Sequence, residues 1–287
     1  MNTRIEAALA AAISKAHDGA PPKFCSALEY AVFPGGARVR PRLCLAVAAA
    51  CGDDAPHLSD ATAAAIELLH CASLVHDDLP CFDDAPVRRG KPSVHRAYGE
   101  PLAVLVGDAL IVLSFETIAR VAGVSSDRLL PLLLTLARAA GAPHGLAAGQ
   151  AWESEPAAPV EQYHRAKTGS LFTAATMAGA LAAGAAPSAW RALGERLGEA
   201  YQVADDLLDA VAQPSEVGKP TLRDAALDRP SAVGLLGVNG AAAHLRQLLA
   251  EAVESIPACP GAGPLRALVM QTADRLVGSK RLKQTAA

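Results

Sequence analysis

Leu74-Val75-His76-Asp77-Asp78-Leu79-Pro80-Cys81-Phe82-Asp83-Asp84 is the stretch on which the reading of this chain turns. It follows an apolar run of helical period at residues 61–75 and packs four carboxylates around Pro80, a residue that breaks a helix. A second stretch, Tyr201-Gln202-Val203-Ala204-Asp205-Asp206-Leu207-Leu208-Asp209, repeats the pattern within the apolar segment 190–212. Gathering carboxylates near an apolar core costs mutual repulsion and desolvation. A divalent cation removes both penalties. Hard oxygen ligands select Mg²⁺, which takes one or two carboxylates together with substrate phosphates. Asp205 and Asp209 are four apart and share a helix face, with Asp206 round the side. On an ideal helix Asp77 would align with Asp84 rather than Asp83, but Pro80 interrupts that spacing. One such cluster alone reads equally well as a solvated helix end. Two, each following a long apolar helix, point to a metal–phosphate site.

Outward from these clusters, the chain of 287 residues is rich in Ala and Leu, and its aromatic share is only 4%. That composition, with few alternating β-branched runs, predicts helix nearly throughout. Pro and Gly punctuation separates apolar segments at 43–50, 61–75, 102–121, 129–140, 163–183, 190–212, 241–253 and 265–277. Ser59 or Asp60 is the expected N-cap of the second. No low-complexity linker or repeat of fixed period appears, so the expectation is a single all-α domain over residues 1–287.

Residues 171–190 carry no charge and are long enough to cross a bilayer. They are mostly Ala and Gly with little Leu, which reads as a buried core helix and not as a transmembrane segment. Residues 1–20 lack a long apolar core, so no secretory signal is expected. The six cysteines show no CxxC and no zinc spacing, which fits reduced thiols and a cytoplasmic protein. A formal charge of -3 gives no bulk attraction for nucleic acid.

Phosphate affinity must then come from local cations. Arg88 and Arg89 follow the first cluster, Lys167-Thr168-Gly169 opens the uncharged helix, and Lys219 lies in Gly218-Lys219-Pro220 after the second cluster. Arg38, Arg40 and Arg42 follow Gly35-Gly36. Arginine grips phosphate oxygens with its fork, while lysine serves as a point charge. His70 precedes Asp77 by seven residues and so points the same way two turns lower. His76 reads as a structural group, and Glu153-Ser154-Glu155 as solvated surface.

Together these motifs resemble the trans-isoprenyl diphosphate synthase family, and within it the bacterial geranylgeranyl-forming branch of carotenoid biosynthesis. The likeness rests on PGGARVRP (34–41), HCASLVHDDLPCFDDAPVRRGKPSVH (70–95), GDAL (107–110), HRAKTG (164–169), YQVADDLLD (201–209) and GKP (218–220), in that order. It implies a bundle of mostly antiparallel helices around a deep central cavity, in a homodimer. It further implies Mg²⁺, three ions in all, held by Asp77, Asp83 and Asp205, with Asp78, Asp84, Asp206 and Asp209 in support. Arg88, Lys167 and Lys219 match the positions that hold an allylic diphosphate (dimethylallyl, geranyl or farnesyl). Arg40, His70 and Arg89 match the isopentenyl diphosphate site, and Thr168 and Gln202 match polar groups facing the developing carbocation. The family turn reads Gly-Gly-Lys-Arg, and this chain has Ala37 at the lysine, so one phosphate cation is missing unless Arg38 or Arg42 compensates.

The implied reaction is ionisation, condensation and elimination, with the departing diphosphate as the base. Product length is set in this family by the residues below the first aspartates. Ala72 and Ser73 are small, which favours a C20 product over the C15 of a farnesyl diphosphate synthase. A terpene cyclase would carry an Asn/Asp-Ser/Thr-Glu second motif, and a non-catalytic subunit of a heteromeric synthase would lose one acidic cluster.

Overall fold

The computed structural model describes residues 1–33, 35–121, 123–124, 126–156, 159–211 and 231–277. Helices are α1 (Asn2–Ala16), α2 (Pro22–Val32), α3 (Val39–Ala50), α4 (Pro56–Asp77), α5 (Val94–Tyr98), α6 (Glu100–Ala119) and α7 (Ser126–Ala140). They continue with α8 (Leu146–Ala151), α9 (Val160–His164), α10 (Ser170–Ala182), α11 (Arg191–Val211), α12 (Ala232–Glu254) and α13 (Ala262–Val277). Among the described residues the only strands, β1 (Val87–Arg88) and β2 (Lys91–Pro92), form an antiparallel hairpin in an otherwise all-helical fold.

The chain packs as two compact units. The first comprises Met1–Ala49, Asp53–Leu136 and Ala178–Ala185. Its centre is α4, which buries Leu58, Ile66, Leu68, Leu69, Ala72 and Val75. A helix buried on nearly all sides needs apolar residues all round, which is how α4 reads. Its main neighbour is α6, which buries Ala103, Val106 and Leu110. The start of α4 differs from the sequence expectation. Pro56 occupies the first turn, where its fixed φ suits a helix and its missing N–H leaves no orphan donor. The helix therefore begins before Ser59 and Asp60. Ser59 is buried, and Asp60 accepts a 2.7 Å bond from Arg4.

The second unit comprises Ala50–Gly52, Ala137–Met177 and Ala186–Ala287. Its centre is α11, which buries Leu193, Leu197, Ala200, Val203 and Leu207 and packs on α12, where Leu245 and Leu248 are buried. Between α9 and α10, residues Arg165–Gly169 form a single π-helical turn. The expected helix at 163–183 is interrupted there. Residues 171–190 likewise do not form one long helix: α10 ends at Ala182 after 13 residues, about 20 Å of rise, and Ala174, Ala175, Ala178 and Ala180 are buried. Two other helices, α4 and α6, are long and apolar enough to span a bilayer by length and composition, and most of α4 is covered by neighbouring helices.

Candidate active site

In the first unit α4 ends at Asp77, and the chain turns back on itself. The Phe82 N–H donates to the Leu79 carbonyl at 2.9 Å, and the Asp83 N–H donates to the Asp77 carbonyl at 2.9 Å. This hook sets Asp83 beside Asp77, which helix spacing could not have predicted. Asp84, with φ +43, turns instead to Arg96 at 2.8 Å. Asp78 takes a third direction. It is 2% exposed, and Arg88 Nε donates to its two oxygens at 3.0 and 3.1 Å. Burial pushes the Asp78 carboxyl above the usual carboxylate range, and the Arg88 guanidinium opposes that rise. The same guanidinium stands 3.9 Å from Asp77 Oδ2. Arg88 thus spans both carboxylates and is held by the buried one.

Arg88 closes β1, and Arg89 and Gly90 make the hairpin turn with φ +54 and +75. Two left-handed residues in succession give the turn whose twist matches a hairpin. The Arg89 guanidinium lies over Gly36, where a Cβ would come within 2.8 Å of its carbon, so the glycine opens room for that cation. Around His70 stand Arg40, Arg89, Arg88 and Arg38. Burial first, and then these four positive charges, push the His70 imidazole well below its usual range, so it is neutral at pH 7.

Arg38 is no substitute for the lysine missing at Ala37. It is 4% exposed and donates to Glu6 at 2.8 Å, to Glu67 at 2.8 Å and to the Val32 carbonyl at 2.9 Å. Further along α4, Ala72 is 1% exposed, and Ser73 Oγ donates to the His70 carbonyl at 2.8 Å. The His76 ring rests against Gly107 of the GDAL motif, with Nε2 3.2 Å from the Val104 carbonyl.

In the second unit the π-turn carries Lys167 and Thr168. Single π-turns inside helices are frequent at functional sites, because they re-aim side chains without ending the helix. Gly149 of α8 touches the Lys167 backbone so closely that any Cβ there would clash, which makes glycine obligatory. The Lys167 ammonium pairs with Glu153, which also accepts from Tyr163 Oη at 2.6 Å and Gln150 Nε2 at 3.2 Å. Glu153 is therefore a largely covered partner of Lys167 and not solvated surface. The sequence signal was Glu-x9-Tyr-x3-Lys, which means nothing until the π-turn brings the three together.

Thr168 Oγ1 donates to Gln202 Oε1 at 2.8 Å, and Gln202 Nε2 donates to Asp206 Oδ1 at 2.9 Å. On α11, Asp205 is exposed, Asp209 is half-buried one turn on, and Asp206 is 3% exposed. The structure thus brings Asp77, Asp83, Arg88, Arg89, Arg40 and His70 together in one unit, and Lys167, Thr168, Gln202 and Asp205 in the other. Lys219 lies outside the described residues. Among the described residues no group of three or more His, Cys, Asp and Glu side chains forms a complete cage for a metal ion. A paired Asp77 and Asp83 suits Mg²⁺, which takes one or two carboxylates and fills its remaining positions with water and phosphate oxygens.

The Polyprenyl synthetase family profile matches residues 21–262. The chain is 57% identical over 275 residues to the geranylgeranyl diphosphate synthase of Cereibacter sphaeroides, covering 96% of each protein. To the geranylgeranyl diphosphate synthase of Rhodobacter capsulatus it is 52% identical over 278 residues, again covering 96% of each. Among solved structures it resembles a geranyltransferase from Helicobacter pylori, crystallised with magnesium and isoprenyl diphosphate. The TM-score is 0.79 at 33% identity, and the match covers 89% of both chains. An all-helical bundle ending its central helix in a hooked pair of aspartates, with these relatives along nearly its whole length, belongs to the polyprenyl synthetase family of prenyl diphosphate synthases.

Proposed function

We propose that the protein condenses an allylic diphosphate with isopentenyl diphosphate to geranylgeranyl diphosphate, a C20 product. The observation that carries this reading is the hook at residues 79–83, which sets Asp83 beside Asp77, with the Arg88 guanidinium 3.9 Å from Asp77 Oδ2 and held by Asp78. Support comes also from the two relatives that bear this activity in their names. Asp77, Asp83 and Asp205 would hold three Mg²⁺ ions. When bound, magnesium supplies positive charge against the departing diphosphate.

The chain's own groups do the rest. Arg88 and Lys167, with Lys219, fix the allylic diphosphate and stabilise the charge that builds on it. Arg40, His70 and Arg89 seat isopentenyl diphosphate. His70 is neutral and donates a hydrogen bond, while the arginines carry the charge. Thr168 and Gln202 present oxygens to the allylic carbocation. The released diphosphate takes the proton, and the apolar helix walls keep water from quenching the cation. Ala72 and Ser73, both small, leave the tail room to extend below Asp77.

A homodimer fits an exposed apolar face of the first unit. On α6, Leu105 and Val112 are 53% and 64% exposed, and with Phe24, Leu102 and Ala109 they line a groove of about 610 Å³. Six free thiols support a reducing, cytoplasmic setting. The chain acts as one domain in this reading.

The test is purified protein with Mg²⁺, labelled isopentenyl diphosphate and each allylic primer in turn, followed by chain-length analysis of the extracted product. C20 is expected. A C15 product would reassign the chain as a farnesyl diphosphate synthase, and no incorporation with any primer would overturn the reading.

A further inference from the structure

Each acidic cluster contains a buried aspartate beside an accessible one, and in the second cluster the buried member has an unusual set of partners. Asp206 Oδ1 accepts from Gln202 Nε2 at 2.9 Å, and Oδ2 accepts from the Ala232 backbone N–H at 2.7 Å. Ala232 opens α12, so its N–H is one of the donors that a helix leaves unpaired at its N-terminus. The neighbouring cap, Ser231, spends its hydroxyl on Gly234 at 3.1 Å. Both oxygens of Asp206 are therefore engaged inside the protein, and at 3% exposure the carboxylate has little access to anything outside it.

The contact with Gln202 decides a chemical polarity. A side-chain amide has a negative end, Oε1, and a positive end, Nε2, and rotating it by half a turn exchanges them. A carboxylate can only accept, so Asp206 fixes Nε2 toward itself and leaves Oε1 on Thr168. The reversed amide would turn N–H groups toward a positively charged allylic centre and raise its energy.

We infer that Asp206 is a positioning residue, and not a cation ligand: it locks the Gln202 amide with its oxygen outward and ties the first turn of α12 to the same carboxylate. This rests on the role of Gln202 in the proposed function. Asp206 thereby couples the start of α12 to the polarity of the group facing the carbocation.

The test compares Asp206→Asn, Asp206→Glu, Asp205→Asn and Gln202→Leu, all purified and assayed with Mg²⁺ and both diphosphates. Asp206→Asn is expected to lose ~100-fold in kcat, with KM for both substrates and the half-saturating Mg²⁺ concentration at wild-type values. More of the allylic substrate should be quenched to its alcohol. Hydrogen exchange at the Ala232 amide should quicken, since an asparagine oxygen cannot serve both donors. Asp205→Asn should instead raise the half-saturating Mg²⁺ by about ten-fold or more. Because the two groups act as a unit, the double variant Asp206→Asn/Gln202→Leu should be no worse than the poorer single variant.

A Mg²⁺ requirement that rises in Asp206→Asn as it does in Asp205→Asn would overturn the inference, as would full additivity in the double variant. If Asp206→Asn does not fold, Asp206→Glu keeps the charge and moves it by one methylene, and the same kcat and Mg²⁺ readouts decide. Wild-type kcat in Gln202→Leu would remove the role of Gln202 and this inference with it. An impaired Gln202→Leu beside a normal Asp206→Asn would remove the inference alone.

Discussion

Asp77 and Asp78 are adjacent in sequence and opposite in environment, and the difference predicts opposite phenotypes. Asp77 sits beside Asp83 where a diphosphate-bound cation would lie. Asp77→Ala is therefore expected to lower kcat by several orders of magnitude while far-ultraviolet circular dichroism stays unchanged; a near-normal rate would remove it from the mechanism. Asp78 holds Arg88 from a buried position. Asp78→Ala should cost ~3 kcal/mol in chemical denaturation, because it strands a partly buried guanidinium. His70 makes a third prediction. Its folded pKa lies well below the usual value near 6.5, so below that pH the unfolded chain binds a proton that the folded chain refuses. Stability is then present above pH 6.5 and lost as pH falls, approaching ~1.4 kcal/mol per pH unit from this group. His70→Gln should flatten the slope between pH 6.5 and 5.5, and an unchanged slope would contradict the assignment. At this scale the sequence exposed the charged motifs, because aspartates and arginines among apolar residues are conspicuous. It did not expose the pairing of Glu153 with Lys167 or the captivity of Arg38, which depend on contacts distant in sequence.

Hydrophobic period identified the central helices of both units, because α4 and α11 are long and their apolar positions recur at helical spacing. Their ends were harder to read. Pro56 starts α4 earlier than the side-chain cap rule suggests, and the π-turn at Arg165–Gly169 is hard to see in the period, since Arg165-Ala166-Lys167-Thr168-Gly169 offers only one small apolar side chain from which to read it. The hook after α4 was hidden for a related reason: once Pro80 ends the helix, backbone bonds decide which carboxylate returns to Asp77. Two variants act on whole elements. Gly149→Val pushes α8 off the Lys167 backbone, and an ångström of displacement at a substrate group is worth ~100-fold in kcat/KM; helicity should survive. On α4, Ser73 is half-buried one turn before Asp77, so Ser73→Tyr should shorten the extracted product from C20 to C15. Ala72→Tyr should do the same at a larger cost in stability, because a fully buried site resists overpacking by ~1–3 kcal/mol.

The two compact units each carry one acidic cluster and its own cations, which the uniform helical reading of the sequence did not reveal. The apolar face of α6 belongs to this largest scale as well. Leu105→Glu with Val112→Glu should convert the proposed dimer into a monomer in sedimentation equilibrium; a wild-type protein that is itself monomeric would overturn the dimer, and a dimer that persists in the variant would place the subunit contact elsewhere. Arg38 carries a consequence for the far end of the chain. Through Glu6 it fastens α1 to the loop that presents Arg40 and lies under Arg89. A change in α1 would be felt at Arg40 and Arg89, the residues proposed to seat isopentenyl diphosphate. Shortening or fusing the amino terminus across residue 6 should therefore raise the KM for that substrate and leave the allylic partner's unaltered.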